Sequence, residues 1–256
     1  MALMGYDAMN IADGELSLGR NFFAKLSAKA EVPMISANLI GPPGVVPYLI
    51  KQVGGLTVAI TGITAGTFLP AEDTLKEGDT AGNPVDDLQK ILPQLRKQAD
   101  IVILLSHLGY QGTVNLLQFN DVEGVDVAVA AHGRKLIQSP ETINGTTVVQ
   151  NSLGGEFLGL LRVQISDDHR ITEINGEVIA LGDTTPEDSR ALQMMADFHD
   201  QEKDIEKAKR RQLEKDQLNG LDTKYLSMTP QQFVDEVKRK KLEAGTSDPE
   251  APGSFQ

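Results

Sequence analysis

Two histidines in this sequence stand where a buried strand is expected to end. His107 follows the apolar run 101–105, and His132 follows the apolar run 125–130. Neighbouring strands of an α/β sheet end at one edge, where ligands bind, so this spacing predicts that the two imidazoles lie close together. Neutral imidazole is a common ligand of divalent transition metals, and the pair therefore indicates a metal site. The alternative is that each histidine caps its strand and hydrogen-bonds a loop.

A third candidate ligand lies near the start of the chain. Residues 8–11 predict a short strand, and Asp13 and Glu15 follow it in a turn. A carboxylate from this turn would complete a shell of oxygen and nitrogen ligands. The alternative is that both acidic residues serve the first turn of a helix that follows Gly19.

The elements that would position these residues follow an alternation of strand and helix. The clearest helix is expected over residues 84–98, with Asn83 as N-cap, Pro84 in the first turn and Pro93 as a kink. Short β-branched apolar runs predict buried strands at 33–38, 56–62, 101–105 and 125–130. This alternation indicates an α/β fold whose strands are covered on both faces.

Two further regions have the pattern of antiparallel strands. Residues 48–62 predict a hairpin that turns at Gly54 and Gly55. Later runs predict successive strands at 147–150, 156–165 and 171–180. The domain is therefore expected to mix βαβ units with hairpins.

Charge density divides the chain into regions. Charged side chains are about twice as dense in residues 184–256 as in residues 1–183, as expected where a packed domain meets a solvated helical segment. We expect a domain over 1–183, a charged helical extension over 184–243 and a disordered tail over 244–256. Within the extension, Thr185 is the expected cap of a long helix to about residue 218, and Thr229 of a second one over 230–242.

Composition excludes several classes of function. The formal net charge of -12 argues against nucleic acid as a partner, because binding a polyanion needs a basic face. The chain has no cysteine, which excludes disulfides and thiolate chemistry. No apolar run approaches the ~20 residues of a membrane span, and we expect no signal peptide at the start of this chain.

Several segments, taken in order, resemble the calcineurin-like metallophosphoesterases, in particular their 5'-nucleotidase branch. Residues 100–109 (DIVILLSHLG) are similar to the family block D-x-V-I-x-L-S-H-x-G. Residues 124–134 (GVDVAVAAHGR) are similar to a block that ends G-H-x-H. The other similar segments are 6–19, 33–39, 53–64 and 147–161. Coverage is roughly residues 1–183.

The resemblance implies a four-layer α/β/β/α sandwich with divalent metal ions at the strand ends. The first two family motifs, D-x-H and G-D, would precede Met1, so we expect a sandwich that lacks its first strands. An exposed sheet edge or the charged helical extension would then be available to a protein partner or to a second copy of the chain.

Residue by residue, the resemblance makes Asp13, His107 and His132 metal ligands. Gly14 takes the place of a family histidine that assists the leaving group. Arg134 takes the place of a second histidine ligand, and a guanidinium has no lone pair for a metal. The resemblance therefore implies at most one ion, Mn²⁺, Zn²⁺ or similar, with Arg134 as a possible phosphate contact.

The function implied by the resemblance is a metal-dependent phosphoester hydrolase similar to 5'-nucleotidases, which act in nucleotide catabolism. The replaced motif positions predict impaired catalysis in this chain. The alternative is a catalytically inactive relative that serves as a binding or assembly module. Exported relatives imply a periplasmic location.

Overall fold

The computed structural model describes residues 1–66, 80–152, 154–220 and 228–243 of the 256-residue chain. The chain forms two compact units, Met1–Thr185 and Pro186–Gln256. The predicted disorder of 244–256 lies outside the described residues. In the ranges that are described, no helix has both the length and the apolar character needed to cross a bilayer.

The first unit alternates strands and helices, as predicted for an α/β fold. Its strands are β1 (Met9–Asn10), β2 (Met34–Ile35), β3 (Leu39–Ile40), β4 (Val45–Val46), β5 (Tyr48–Val53), β6 (Leu56–Thr64), β7 (Thr80–Ala81), β8 (Ile101–His107), β9 (Val127–Ala130), β10 (Glu141–Ile143), β11 (Thr146–Val149), β12 (Phe157–Ile165) and β13 (Ile171–Ala180). Its helices are α1 (Asp13–Leu16), α2 (Arg20–Ser27), α3 (Pro84–Leu95) and α4 (Gly109–Phe119). A short 3-10 turn, Ala2–Met4, precedes them.

The main sheet has the strand order β10-β11-β9-β8-β6-β5. Its central strands β11, β9, β8 and β6 run parallel, and β10 and β5 pair antiparallel at the edges. Val102, Leu104 and Ala128 are completely buried in a core that includes residues of α3 and α4. Strands buried in this way appear as continuous apolar runs, which is why the sequence predicts them.

Helix α3 begins where the sequence predicts and ends earlier. The Asn83 side chain accepts a hydrogen bond from Val85 N at 2.9 Å, which confirms the predicted N-cap. The helix ends at Leu95 and not at Gln98. Lys97 N and Gln98 N donate to carbonyls three residues back, so the chain tightens into a narrower turn after Leu95.

A smaller parallel sheet, in the order β1-β2-β4, holds the segment that leads to Asp13. Its core contains Ile11 and Phe23, both completely buried. This sheet meets the main sheet at Gly62, where a Cβ would lie 2.1 Å from Asn10 Oδ1. Glycine at this position therefore allows β1 to approach β6 closely.

The predicted hairpin at the end of the first unit is confirmed as β12 and β13. Its strands pair antiparallel from Phe157 and Ala180 down to a turn that contains His169. Among the described strands, β12 and β13 pair with no third strand. Leu158 and Ile179, which face each other across the pair, are both exposed, so the hairpin has open strand edges of the kind that other chains can pair with.

The turn of this hairpin is tied to the start of β8. His169 Nδ1 lies 3.1 Å from Asp100 Oδ1, and Asp100 Oδ2 accepts from Thr57 N at 2.7 Å. The Thr57 N–H, and then the His169 imidazole, hold the pKa of the Asp100 carboxyl below its ordinary value. A carboxyl whose pKa is lowered by folding stabilises the fold only while it is ionised.

Replacing Asp100 with asparagine is expected to lower the melting temperature at neutral pH and to have little effect in acid. The stability that the charge contributes is present above the unfolded-state pKa of about 3.9 and is lost as the pH falls through the lower folded-state value. Thermal unfolding of both proteins from neutral pH to below about pH 4 measures this difference. A difference that does not shrink in acid would contradict this assignment.

The second unit consists of two described helices, α5 (Ser189–Gly220) and α6 (Pro230–Glu243). The predicted cap at Thr185 is wrong, because Asp188 Oδ1 accepts from Arg190 N at 2.8 Å and from Ala191 N at 3.3 Å. Thr185 instead accepts from Gly182 N. The predicted cap of the second helix is confirmed, since Thr229 and Gln232 exchange hydrogen bonds in a capping box.

Candidate metal centre

Asp13, His107 and His132 come together at the C-terminal edge of the main sheet. His107 Nε2 lies 2.9 Å from Asp13 Oδ1 and 3.0 Å from His132 Nδ1. The two imidazole rings meet edge to face, with their centroids 4.6 Å apart. His107 is half-buried and His132 is exposed, so the cluster opens to solvent. The structure thus brings together the three residues that the sequence analysis selects; their role as metal ligands stays a prediction.

The donor set of this cluster fits a divalent ion. A neutral imidazole nitrogen either donates or accepts a hydrogen bond, so His107 Nε2 cannot donate to Asp13 and accept from His132 together. A cation would take a lone pair from all three ligand atoms. These atoms all lie within 4.8 Å of one another, and two of the three separations are 2.9 and 3.0 Å.

A buried hydroxyl pair fixes the backbone from which His107 projects. Ser106 is 1% exposed, and its Oγ lies 2.8 Å from Thr113 Oγ1. The Thr113 hydroxyl donates to Gly109 O at 2.7 Å. Gly109 has a φ of +71°, which glycine adopts without steric cost. The chain therefore turns sharply between His107 and α4.

His132 has a left-handed backbone conformation just after β9, with a φ of +66°. The preceding residue, Ala131, donates from its N to Ser106 O and accepts at its O from Gly109 N, both at 2.8 Å. A Cβ at Gly109 would lie 3.1 Å from His132 O, so the two loops pack backbone against backbone. This close packing brings the two imidazoles together.

Asp13 begins α1, a four-residue helix whose first turn is capped by Glu15. Glu15 Oε2 accepts from Ala12 N at 3.1 Å, so this carboxylate caps α1 itself and not, as the alternative interpretation of the sequence had it, the helix that follows Gly19. The Asp13 carboxylate reaches His107 instead. Asn10 Nδ2 donates to Ile63 O at 2.9 Å and ties this segment to β6.

Asn38 is a buried positioning residue that the sequence analysis missed. It is completely buried, and its Nδ2 donates to Thr64 O at 2.7 Å and to Gly82 O at 3.1 Å. Its Oδ1 accepts from Thr64 N at 3.0 Å. Thr64 is the register partner of His107 across β6 and β8. The signal in the sequence was a polar residue at the end of an apolar strand.

The loop that follows His132 is anchored by a cluster of Tyr110, Lys135 and Glu141. The Tyr110 hydroxyl donates to Glu141 Oε2, and this contact holds the pKa of the Glu141 carboxyl below its usual range. Lys135 Nζ lies 3.2 Å from the centroid of the Tyr110 ring, a cation–π contact. Gln150 Nε2 donates to Lys135 O at 2.9 Å. The loop is therefore fixed to α4, to β10 and to the end of β11.

Arg134 and Gly14 both have open surroundings. Arg134 is exposed, and no described carboxylate lies within ion-pair distance of its guanidinium. A Cβ on Gly14 would meet no atom of the described residues within 4 Å, so the backbone at this position accepts a side chain.

Comparisons with known proteins find relatives in sequence and in structure, although no protein-family model matches the chain. An uncharacterized metallophosphoesterase of Bacillus subtilis, YunD, is 25% identical over 207 residues, covering 78% of this chain and 43% of that protein. The 5'-nucleotidase of Rattus norvegicus is 30% identical over 225 residues, covering 74% of this chain and 37% of that protein.

A solved structure, the 5'-nucleotidase precursor of Thermus thermophilus, superposes with a TM-score of 0.69 at 25% identity. The superposition covers 77% of this chain and 43% of the other. The chain thus spans less than half the length of these three proteins. The similarity lies in a part of each relative and not in its whole length.

Proposed function

Because the chain is a relative of the calcineurin-like metallophosphoesterases and of their 5'-nucleotidase branch in both sequence and fold, we propose that it binds one divalent metal ion and hydrolyses a phosphoester. Asp13, His107 and His132 would hold the ion. The observation that carries this proposal is the convergence of a carboxylate oxygen and an imidazole nitrogen on His107 Nε2, at 2.9 and 3.0 Å.

The three side chains supply suitable ligands for Mn²⁺ or Zn²⁺, with a position open to solvent. When bound, such an ion polarises a phosphoryl oxygen and lowers the pKa of a water molecule. The chain's own contribution is to fix the ligand positions. Ser106 and Thr113 orient the backbone at His107, and Asn38 fixes the neighbouring strand through Thr64.

Arg134 supports the choice of a phosphoester as substrate. It lies two residues after His132, is exposed and has no described carboxylate to neutralise it. A guanidinium binds two phosphate oxygens at once. We therefore assign Arg134 the role of holding the phosphate group near the ion.

Impaired catalysis is part of the same proposal, and an inactive binding module is the second candidate function. The observation that favours both is the open space at Gly14, where the resembling family has a histidine that assists the leaving group. The fold there accepts a side chain, and a glycine supplies no group that donates a proton.

Metal content of the purified chain, measured by elemental analysis after exposure to Mn²⁺ or Zn²⁺, tests the proposal. We expect about one ion per chain, and no bound ion in the His107→Ala/His132→Ala variant. The control is His199→Ala, a histidine of α5 in the second unit. The absence of bound metal in the unaltered chain would overturn the proposal.

Hydrolysis of a chromogenic phosphate monoester by the metal-loaded chain separates the two candidate functions. An impaired enzyme is expected to show slow hydrolysis that requires His107 and that rises in the Gly14→His variant, where an imidazole can serve as general acid. A binding module would hold the ion and show no hydrolysis in either form.

A further inference from the structure

Gln150, directly after β11, meets the loop that follows His132 at several points. It is a buried residue, 3% exposed. Its side-chain Nε2 donates to Lys135 O at 2.9 Å, and its backbone O accepts from Ile137 N at 3.0 Å. A Cβ on Gly133 would lie 3.2 Å from the same Nε2 atom. The loop therefore lies against one buried residue at three positions.

Arg134 lies between two of these positions. Gly133 packs against the Gln150 amide, and Lys135 O accepts a hydrogen bond from it, so one side chain holds the backbone on both sides of Arg134. The residue before His132 is held separately, through two backbone hydrogen bonds to residues of β8 and α4. The Gln150 amide therefore fixes the backbone at Arg134 and leaves the position of His132 to other contacts.

The other half of the Gln150 amide has no partner among the described residues. Its Oε1 atom is buried and accepts no hydrogen bond from them. A buried polar atom without a partner destabilises a fold, and an apolar side chain of the same size would avoid this cost. Such an exception is expected where a residue serves a site, and the contact of Nε2 with the loop around Arg134 indicates which site.

We propose that Gln150 is a positioning residue that holds Arg134 where its guanidinium meets the phosphate group of the substrate. This inference rests on the role of Arg134 in the proposed function. A guanidinium binds phosphate through two parallel hydrogen bonds, which require a defined orientation. A backbone that is fixed on both sides of Arg134 reduces the conformational entropy that is lost when these bonds form. Gln150 acts through Arg134 and not by contact with the substrate.

The Gln150→Met variant tests the proposal, because it removes the amide and nearly keeps the size of the side chain. Inorganic phosphate, titrated by calorimetry into the Mn²⁺-loaded chain, is expected to bind this variant about tenfold more weakly. The affinity for Mn²⁺ should stay unchanged. Gln138→Met makes the same exchange at an exposed position beyond the loop and is the control.

Two failures are distinguishable in this titration. If the unaltered chain binds phosphate and Gln150→Met binds it equally well, the assignment of Gln150 is overturned and the proposed function stands. If the unaltered chain binds no phosphate, the proposed function is overturned, and the role of Gln150 with it.

A double variant separates positioning from a general loss of structure. Arg134→Ala alone is expected to weaken phosphate binding about tenfold. In that background Gln150→Met should have no further effect, because the group that it positions is gone. In the metal-free Gln150→Met variant, NMR relaxation should also show a more mobile backbone N–H at Arg134. Additive losses of phosphate affinity, or an unchanged mobility at Arg134, would overturn the proposal.

Discussion

Replacing His107 with alanine is expected to lower the affinity for Mn²⁺ or Zn²⁺ by more than about 100-fold, since residues behind the ligands alone account for about 10–100-fold. Its Nε2 is the atom on which Asp13 Oδ1 and His132 Nδ1 converge. Replacing His132 is expected to cost about tenfold, because this exposed side chain contacts His107 and leaves the pair of Asp13 and His107 in place. Isothermal titration calorimetry of each variant with either metal measures the ranking.

The expected order of the two metal affinities depends on where each histidine lies in the cluster and not on its residue type. Histidines elsewhere in the chain therefore provide the control. His169 and His199 lie outside the cluster, and alanine at either position should leave the metal affinity unchanged. Equal losses for His107→Ala and His132→Ala would contradict the central position of His107. A metal affinity that His107→Ala leaves unchanged would show that the cluster does not bind the metal.

Replacing Asn38 with alanine is expected to lower the free energy of unfolding by about 3 kcal/mol. The substitution removes hydrogen bonds from Thr64 N, Thr64 O and Gly82 O. Asn38 is completely buried, and backbone groups that lose their partners inside a protein are costly. Urea unfolding followed by circular dichroism measures the change, with the metal absent so that binding does not contribute.

Asn115→Ala is the matched control for this measurement. Asn115 is exposed on α4, and among the described residues its side chain bonds only to Gln111, from which it accepts. Its replacement is expected to change stability by less than about 0.5 kcal/mol. A loss for Asn38→Ala as small as that of the control would show that the buried asparagine does not hold the strands together.

The sequence predicts the parts of the site that local pattern controls. His107 and His132 stand at the ends of continuous apolar runs, and parallel strands bring such ends to one edge. Helix α3 was predictable because its cap and its apolar stripe lie within a few residues of each other. These features depend on neighbours in the chain.

The residues that the sequence analysis missed depend on distant partners. Asn38 bonds to residues 26 and 44 positions away, and its local signal, a polar residue at the end of an apolar run, does not identify these partners. The prediction of the N-cap of α5 failed for another reason. Thr185 and Asp188 are both good capping residues, and the side chain of Thr185 closes the preceding turn at Gly182 instead.

The left-handed backbone at His132 implies that the chain gives up some folding stability to keep an imidazole at this position. A residue with a Cβ costs about 1 kcal/mol at a φ of +66°, and glycine would remove that cost. Glycine at this position would therefore make the folded state more stable. The imidazole stands at a backbone position that favours glycine, which is expected if His132 serves metal binding, as proposed, and not folding.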